Sequence, residues 1–329
     1  MERFAVERGV PLARHCSLGI GGPARYLARC RTLDDLREAT DFARAKGLLA
    51  RPSTSSSGRR GGVFVLGRGS NVLFDDRGYD GLVILNEIED CEDFPPPDRA
   101  PSRDHLELRV GSGYPFNTLG QRLSTAGWGG LEFAAGIPGT VGGAVFMNAG
   151  SNGRETCEAL VSADYLTSDG EVRTLDFRDA CGSFSYRKSP FQSMTDLLAI
   201  VSGTFELVQS PEAKEKARAY MKRRSATQPL RDKSAGCIFR NPSPASGQGK
   251  GSPLPQSAGA LIDLSGLKGY SLGTATVSSL HANYIVCSRA SEESSSDMKR
   301  LIGLVKERVR AEFGVALEEE IEIVPFMSD

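Results

Sequence analysis

Two glycine-rich segments of this sequence could hold a ligand against the main chain. In the first, residues 66–73, Gly67, Gly69, Ser70 and Asn71 follow a short apolar run. Glycine lets a backbone approach a bound molecule and point its N–H groups at it, and the Ser and Asn side chains add hydrogen bonds. The second, residues 130–150, is apolar and almost uncharged, so it could wrap a large flat cofactor with a pyrophosphate. Tight turns in a β-rich domain explain this composition equally well.

The standard signatures of nucleotide and metal sites are absent from the sequence. It has no G-x-G-x-x-G after a predicted strand, no G-x-x-x-x-G-K-[ST] and no H-E-x-x-H, so neither a Rossmann fingerprint nor a P-loop is expected. Only three histidines occur, His15, His105 and His281. A lone histidine is more often packed or exposed than a ligand, and we expect no metal.

Length and composition exclude several classes of protein. A chain of 329 residues exceeds what one hydrophobic core usually serves, which predicts two domains. With 40 Lys+Arg against 41 Asp+Glu there is no basic field for nucleic acid, and we expect no such partner. The seven cysteines are odd in number and form no C-x-x-C, which favours reduced thiols. No apolar run reaches the ~18 residues of a membrane span, and we expect neither a membrane contact nor a targeting segment.

The apolar periodicity predicts elements that must position these segments. The pattern indicates a helix over residues 32–47, strands over 63–66 and 82–85, and then short strands and turns from 106 to about 208. A charged helix is predicted from Pro211 to about Gln228. We place the domain boundary just before it, which gives domains 1–210 and 211–329.

The C-terminal part of the sequence ends in a helix and a strand. Five apolar residues at helical spacing predict a helix that stops at Gly314, and a strand is expected over residues 315–324. Three polar or Pro-rich stretches, residues 52–60, 91–104 and 242–255, are predicted to be surface loops. The apolar stripe of the helix is Met298, Leu301, Ile302, Val305 and Val309.

A series of ordered segments resembles the UDP-N-acetylenolpyruvoylglucosamine reductase family over residues 11–324. The resemblance rests on Gly67-x-Gly69-Ser70-Asn71 and on residues 136–150, and it begins earlier, at residues 20–24. Further matching segments are residues 186–191, 228–229, 234–242, 258–263, 266–269 and 317–321.

The resemblance implies an α+β fold. It consists of an FAD-binding domain of the vanillyl-alcohol oxidase or PCMH type followed by a smaller α/β substrate-binding domain. It implies reduction of UDP-N-acetylenolpyruvoylglucosamine to UDP-N-acetylmuramate, with FAD as cofactor and NADPH as reductant. The chain is similar to the shorter subtype of the family, and some stretches look like plant and algal forms. We therefore expect a cytoplasmic bacterial protein or a plastid stromal one, and a monomer.

The resemblance also assigns the cofactor-binding residues. They are Gly67, Gly69, Ser70, Asn71, Gly136, Ile137, Pro138, Gly139, Gly142, Gly143 and Asn148.

Three residues align with the family's catalytic groups. Arg187 would stabilise the enolate that forms on the carboxylate side of the substrate. Cys237 aligns with the proton donor, which is serine in many members; a thiol, with a reference pKa of about 8.5, is the better acid. Glu320 aligns with the family's C-terminal glutamate, which assists enolate stabilisation or protonation. Without the resemblance, these residues would be read as a surface ion pair, a buried apolar thiol and a solvated acidic strand.

The glutamate carries a one-position alternative. The family often has Pro before this residue, whereas this chain has Glu319 inside a run of three acids. Strand alternation puts Glu319 on the face of Leu317 and Ile321, and Glu320 on the opposite face. If the odd face packs the core, Glu320 points into the cleft, but a β-bulge would break this argument.

Four residues within matching segments are predicted to bind the substrate's diphosphate or carboxylate, namely Tyr186, Arg224, Gln228 and Asn241. Two rival functions remain open. One is another flavin oxidoreductase on the same FAD domain, such as an oxidase with covalently bound flavin. The other is an inactive nucleotide-binding homologue, which only the change from Ser to Cys at position 237 favours.

Overall fold

The computed structural model describes residues 4–50, 62–91, 104–178, 181–242, 257–289, 291 and 293–326, with Ala50 and Cys181 as backbone alone. The predicted loop 52–60 and nearly all of the loops 91–104 and 242–255 lie outside the described residues.

Helices and strands alternate irregularly along the chain. The helices are α1 (Leu33–Ala45), α2 (Phe116–Thr125), α3 (Val141–Met147), α4 (Ala213–Thr227), α5 (Ala258–Leu264) and α6 (Ser294–Phe313). The strands are β1 (Val6–Glu7), β2 (Val10–Pro11), β3 (Pro23–Cys30), β4 (Val63–Leu66), β5 (Val72–Phe74), β6 (Tyr79–Asn86), β7 (His105–Gly111), β8 (Trp128–Gly129), β9 (Gly150–Ser151), β10 (Arg154–Glu155), β11 (Leu160–Thr167), β12 (Val172–Asp176), β13 (Leu197–Gln209), β14 (Ser271–Leu272), β15 (Ala275–Val277), β16 (Ile285–Cys287) and β17 (Glu322–Val324).

The chain forms two compact units, each built from three separate segments. The first comprises Met1–Gly9, Arg25–Arg68 and Gly81–Arg224, and the second comprises Val10–Ala24, Gly69–Asp80 and Ser225–Asp329. The predicted ranges 1–210 and 211–329 stay a prediction, from which these units differ in two ways. The chain crosses between the units several times before residue 210, and α4 lies almost wholly in the first unit.

The first unit contains two larger sheets with separate apolar cores and the short pair β9-β10. One sheet has the order β1-β3-β6-β4, with β4 and β6 parallel, and α1 packs its buried stripe beside it. The other is antiparallel, in the order β12-β11-β13-β7, and it shares a core with α2 and α3. The long strand β13 pairs with both β11 and β7; its residues 198–203 are all buried, and burial alternates only from residue 203 to residue 208.

The second unit has a core lined by α5 and α6. It contains the antiparallel sheet β14-β15-β16 and a parallel pair formed by β5 and β17. Leu18 and Ile20 from its first segment and Leu73 from its second pack into the same core as α6. Apolar side chains from all three segments therefore hold this unit together.

Helices with a clear period were predicted well. The helix predicted over 32–47 is observed as α1, where Leu36, Ala39 and Ala43 are fully buried. The predicted C-terminal helix is observed as α6, its five stripe residues are buried, and Gly314 ends it with φ 69°. That left-handed cap suits glycine, which lacks a Cβ. Strands 63–66 and 82–85 and the charged helix are also confirmed.

Two expectations were wrong in part. Residues 106–208 contain helices α2 and α3 as well as strands and turns. Of the strand predicted over 315–324, only β17 is regular, together with an isolated bridge between Phe239 and Glu319. The helix α3 passes through Gly142 and Gly143, where propensity argues against it, because Thr140 caps its first turn and Val141, Ala144 and Val145 are buried.

Among the described helices, none combines the length and the hydropathy needed to cross a bilayer.

Candidate active site

The two glycine-rich segments meet within the first unit. Gly67 follows β4, and a Cβ added there would lie 2.5 Å from Oγ1 of Thr140, the residue that caps α3. Gly142 packs similarly against Ser112: its N–H donates to the Ser112 carbonyl (2.8 Å), and an added Cβ would lie 2.9 Å from the Ser112 Cβ. At both positions the absence of a side chain allows the glycine main chain to pack closely against another segment of the first unit.

The backbone at Gly143 is open, in contrast. An added Cβ at Gly143 would meet only Thr140 Oγ1, at 3.6 Å. Its neighbour Gly139 has φ 119°, a conformation that glycine alone adopts readily, and its carbonyl accepts from the Phe116 N–H (3.1 Å). The main chain at Gly143 is therefore free of close side-chain contacts apart from Thr140, as the approach of a cofactor would require.

Three of the predicted cofactor residues lie at the start of the second unit's middle segment. Gly69 has φ 61°, and a side chain there would collide with the His15 carbonyl. The Gly69 carbonyl accepts from both the N–H (3.0 Å) and the hydroxyl (3.1 Å) of Ser17. The single hydroxyl hydrogen of Ser17 is shared with the Ser234 carbonyl (2.6 Å), so Ser17 links residue 234 to the segment that leads to Ser70 and Asn71.

Arg187 lies in a tight turn with an unusual backbone. Ser185 and Lys188 exchange main-chain hydrogen bonds (3.2 and 2.8 Å) across the turn, and Arg187 has φ 59°. A non-glycine residue rarely adopts this conformation, and it costs of order 1 kcal/mol. The guanidinium lies 5.0 Å from the centre of the Tyr186 ring, and it donates to the Gly150 carbonyl (3.3 Å). The turn therefore holds a cation beside a 42% exposed tyrosine.

The side chain of Asn148 is hydrogen-bonded to this turn. This residue ends α3 with φ 44° and is fully buried. Its amide nitrogen donates to Glu155 (2.8 Å) and to the Ser185 carbonyl (3.1 Å), and its oxygen accepts from the Cys157 N–H (3.1 Å). The Asn148 side chain links the glycine-rich segment to the Arg187 turn. The predicted contact of Asn148 with the cofactor would therefore come from its main chain.

Arg224 carries a buried polar atom with no protein partner. Its Nε has no hydrogen bond and almost no solvent contact. The stem of Arg224 packs over Gly136, where an added Cβ would lie 2.9 Å from the Arg224 Cδ. A buried guanidinium nitrogen without a partner is costly, and an anionic ligand would satisfy it.

Cys237 and Glu320 lie in two segments of the second unit that an isolated bridge between Phe239 and Glu319 joins. The Glu320 N–H donates to the Ile238 carbonyl (2.7 Å), one residue beyond the half-buried Cys237. The Ile321 N–H donates to the same carbonyl (3.4 Å). Glu320 and Ile321 therefore both lie opposite Ile238, which is the pattern of a β-bulge. A bulge at this position is what would break the argument from strand alternation.

The Glu319 side chain forms an ion pair with α6. Its carboxylate pairs with the Lys306 ammonium of α6 (2.8 Å), and its neighbours Leu317 and Ile321 are buried in the core. Because a bulge lies beside Glu320, simple alternation no longer gives the direction of its side chain. The choice of Glu320 over Glu319 stays a prediction.

Gln228 and Asn241, both predicted to bind substrate, have protein partners within the second unit. Gln228 Oε1 accepts from the Tyr284 hydroxyl (2.7 Å), and Asn241 Oδ1 accepts from the Ala258 N–H at the start of α5 (3.1 Å). Elsewhere in this unit, burial raises the pKa of the Cys16 thiol to about 12, so this cysteine remains protonated near neutral pH.

Each unit assembles one part of the predicted site. The first brings together Gly67, residues 136–143, Asn148, residues 186–187 and Arg224. The second brings together residues 69–71, Cys237 and Glu320. Sequence analysis missed Ser17 and Lys306, for which no local pattern gives a signal. In the described part of the chain, no group of His, Cys, Asp or Glu could hold a metal.

Known proteins resemble this chain over nearly its full length. Residues 24–176 match the model of an FAD binding domain. Residues 228–324 match the model described as UDP-N-acetylenolpyruvoylglucosamine reductase, C-terminal domain. The UDP-N-acetylenolpyruvoylglucosamine reductase of Protochlamydia amoebophila is 43% identical over 94% of this chain and 91% of its own length. That of Chlamydia muridarum is 38% identical over 98% and 96%.

A solved structure extends the likeness to the fold. The crystal structure of UDP-N-acetylenolpyruvylglucosamine reductase from Thermus caldophilus superimposes with a TM-score of 0.72 at 31% identity. It covers 98% of this chain and 100% of that one.

Proposed function

This chain belongs to the UDP-N-acetylenolpyruvoylglucosamine reductase family, and from that premise we propose which of its side chains carry out the reaction. The protein is an FAD-dependent oxidoreductase that reduces UDP-N-acetylenolpyruvoylglucosamine with NADPH, a step of peptidoglycan precursor synthesis. Its fold combines the FAD-binding domain with the C-terminal domain of the family. The two glycine-rich segments would hold FAD, which would supply the hydride-transfer chemistry between NADPH and the vinyl carbon of the substrate.

Arg187 stabilises the negative charge that this hydride creates. Addition to the terminal carbon moves an electron pair towards the carboxylate, which becomes an enolate. The rigid turn and the Gly150 carbonyl hold the guanidinium in place before the charge develops. A preorganised cation of this kind acts on the transition state without reorganisation. The φ of 59° indicates that the surrounding structure maintains a costly conformation here.

Cys237 donates the proton that completes the reduction. The proton goes to the carbon next to the carboxylate, the enolate electron pair forms the new C–H bond, and the thiolate recovers a proton from solvent. The observation that supports this assignment is the hydrogen bond from the Glu320 N–H to the carbonyl of Ile238, the residue after Cys237. Glu320 assists enolate stabilisation or protonation, and the Lys306 contact of Glu319 favours Glu320 over its neighbour.

The substrate's anionic groups are bound by residues whose roles stay proposals. Arg224 is the best supported, because its buried Nε needs a partner. Tyr186 is exposed beside Arg187 and can donate a hydrogen bond. Gln228 and Asn241 retain amide nitrogens that could reach a diphosphate or carboxylate.

The remaining cofactor residues are proposed from their packing. Gly67 and Gly142 bring the loops together, and Gly143 leaves open backbone. The other residues proposed to contact FAD are Gly69, Ser70, Asn71, Gly136, Ile137, Pro138, Gly139 and, through its backbone, Asn148.

Three broader statements complete the proposal. The FAD-binding domain is residues 1–210 and the substrate-binding domain is residues 211–329. The protein acts as a monomer. It works in a bacterial cytoplasm, which the chlamydial sources of its relatives favour over a plastid stroma.

The visible spectrum of the anaerobic protein tests the assignment. NADPH should bleach the oxidised flavin, and the enolpyruvyl substrate should restore it. The Arg187→Ala and Glu320→Gln variants should bleach normally but recover at least about 100-fold more slowly, whereas Cys237→Ser should recover within about tenfold of wild type. Bleaching without recovery in the wild type would identify another flavin oxidoreductase. A protein that binds no FAD would contradict the assignment altogether.

A further inference from the structure

The side chain of Asn71 contacts the segment that carries Glu320. Its amide nitrogen donates to the Glu320 main-chain carbonyl (3.0 Å), across 249 residues of sequence. The main-chain carbonyl of Asn71 accepts from the Glu322 N–H (3.0 Å). Asn71 therefore brackets the stretch 320–322 from one side, with its side chain at one end and its main chain at the other.

The same stretch is bonded irregularly on its other side. The Ile238 carbonyl accepts from both Glu320 and Ile321, so the ladder does not fix the direction of the Glu320 side chain by simple alternation. A bulge can re-aim a side chain, and the orientation of the peptide plane after Glu320 then decides where the carboxylate points. That plane carries the carbonyl to which Asn71 donates.

Asn71 is itself held rigidly. It precedes β5, which pairs in parallel with β17 through Val72↔Glu322 and Leu73↔Ile323. The preceding Gly69 is fixed by its crowded backbone and by two hydrogen bonds from Ser17. Only small movements of the Asn71 amide are therefore open to it, and a rigid donor can set the orientation of its acceptor.

We propose that Asn71 is a positioning residue for Glu320: its amide fixes the peptide plane at the bulge and so aims the catalytic carboxylate. The inference rests on the proposed role of Glu320. It gives a residue of the glycine-rich cofactor loop a second task, in the proton-handling half of the reaction. Aspartate cannot replace it, because a carboxylate has no N–H and would repel the Glu320 carbonyl.

Stopped-flow kinetics of the two half-reactions test this role. In Asn71→Asp, reoxidation of the reduced flavin by the enolpyruvyl substrate should slow about 10- to 100-fold, the effect of a displacement of about 1 Å. The substrate KM should change less than about threefold. Asn152→Asp, at an exposed asparagine whose amide donates to the neighbouring Ser151 hydroxyl, is the control for the same chemical change and should behave as wild type.

A double-mutant cycle separates this inference from the proposed function. If Asn71 acts through Glu320, then Asn71→Asp/Glu320→Gln should reoxidise within about twofold of Glu320→Gln alone. Fully additive losses would overturn the positioning role and leave Glu320 as the acid. A Glu320→Gln variant with the wild-type reoxidation rate would instead overturn the proposed role of Glu320.

Hydrogen exchange of the FAD-free protein gives a readout that does not depend on activity. In Asn71→Ala and Asn71→Asp, peptides covering residues 318–324 should exchange at least about tenfold faster than in wild type. Peptides of α6 should keep their protection, which shows that the unit remains folded. Unchanged exchange over 318–324 would show that Asn71 does not order this segment, and would overturn the inference even if both variants lost flavin.

Discussion

At the scale of single residues, Arg187 combines the side chain proposed to stabilise the enolate with an unfavourable backbone conformation. Its φ of 59° lies where non-glycine residues are rare, and its turn is held by Asn148 and by the paired Ser185 and Lys188. Such a conformation persists only where neighbouring contacts require it. The turn therefore lowers the stability of the fold slightly and holds the guanidinium in a fixed position.

Two variants at this position separate charge from strain. Both Arg187→Gly and Arg187→Ala should lose at least about 100-fold in kcat, because both lack the guanidinium. The glycine variant should nevertheless be about 1 kcal/mol more stable than the alanine variant, since glycine tolerates positive φ. Urea unfolding measures the difference. Equal stabilities would mean that the turn relaxes when the arginine is removed.

Alkylation should distinguish Cys237 from the other cysteines. Iodoacetamide at pH 8 should modify the half-buried Cys237 and abolish activity, and Cys237→Ser should keep its activity under the same treatment. Burial raises the pKa of Cys16 to about 12 and that of Cys30 further, so neither offers appreciable thiolate. Mass spectrometry of the labelled peptides gives the site. Inactivation with the label on Cys16 alone would contradict this assignment.

At the scale of secondary structure, α6 receives its N-terminal cap from a distant segment. Glu293 precedes the helix without a capping side chain, and the Asp76 carboxylate accepts from the N–H of Ser295 (2.8 Å) and of Ser296 (3.4 Å) instead. In return, the Ser295 hydroxyl accepts from the Asp76 N–H (3.0 Å). This reciprocal arrangement is a capping box made between remote parts of the chain.

Removing that cap should destabilise the second unit. Asp76→Ala should lower the free energy of unfolding by about 1–2 kcal/mol, the usual cost of losing a capping acceptor. Asp34→Ala, in the first turn of α1 and largely exposed, is the matched control and should cost less than about 0.5 kcal/mol. Thermal melting followed by circular dichroism measures both. Equal shifts for the two variants would show that the cap contributes nothing special.

Elements were predictable where the local pattern and the tertiary environment agree. The stripe of α6 and its stop at Gly314 follow from period and cap chemistry alone. The helix α3 was missed because glycines at 142 and 143 disfavour a helix, and only burial of their neighbours overrides that preference. The irregularity at Glu320 depends on the Ile238 carbonyl, 82 positions earlier by the numbering, and no local signal encodes such a contact. The family motifs supplied the candidate residues, and the contacts of Lys306 and Asn71 required the structure.

At the scale of the whole molecule, buried carboxylates set the response to acid. Asp75, only 7% exposed, accepts from Arg77 and Lys299, and these hydrogen bonds hold its pKa well below the usual range. The Thr274 N–H similarly lowers the pKa of the buried Asp297, and Thr174 and other donors lower that of Asp164 despite burial. Both compact units thus contain carboxylates that favour the ionised form.

Stability should therefore fall as the solution is acidified. A carboxylate with a depressed folded-state pKa stabilises fully above its unfolded value of about 3.9 and loses that contribution as the pH drops towards the folded value. Asp75→Asn should cost about 2 kcal/mol at pH 7, through lost hydrogen bonds to charged groups. Below about pH 3 the difference from wild type should shrink. Urea midpoints between pH 2.5 and pH 7 would test this, and a constant difference would contradict it.

The three-segment construction of the second unit has a consequence for the time at which it can form. On the ribosome, residues 10–24 and 69–80 emerge long before residues 225–326, which need about 5–20 s of further synthesis at typical rates. During that interval Leu18, Ile20 and Leu73 lack the α6 side chains that cover them in the finished protein, and β5 lacks its partner β17. The nascent chain therefore exposes apolar surface for seconds, and we expect ribosome-associated chaperones to bind it.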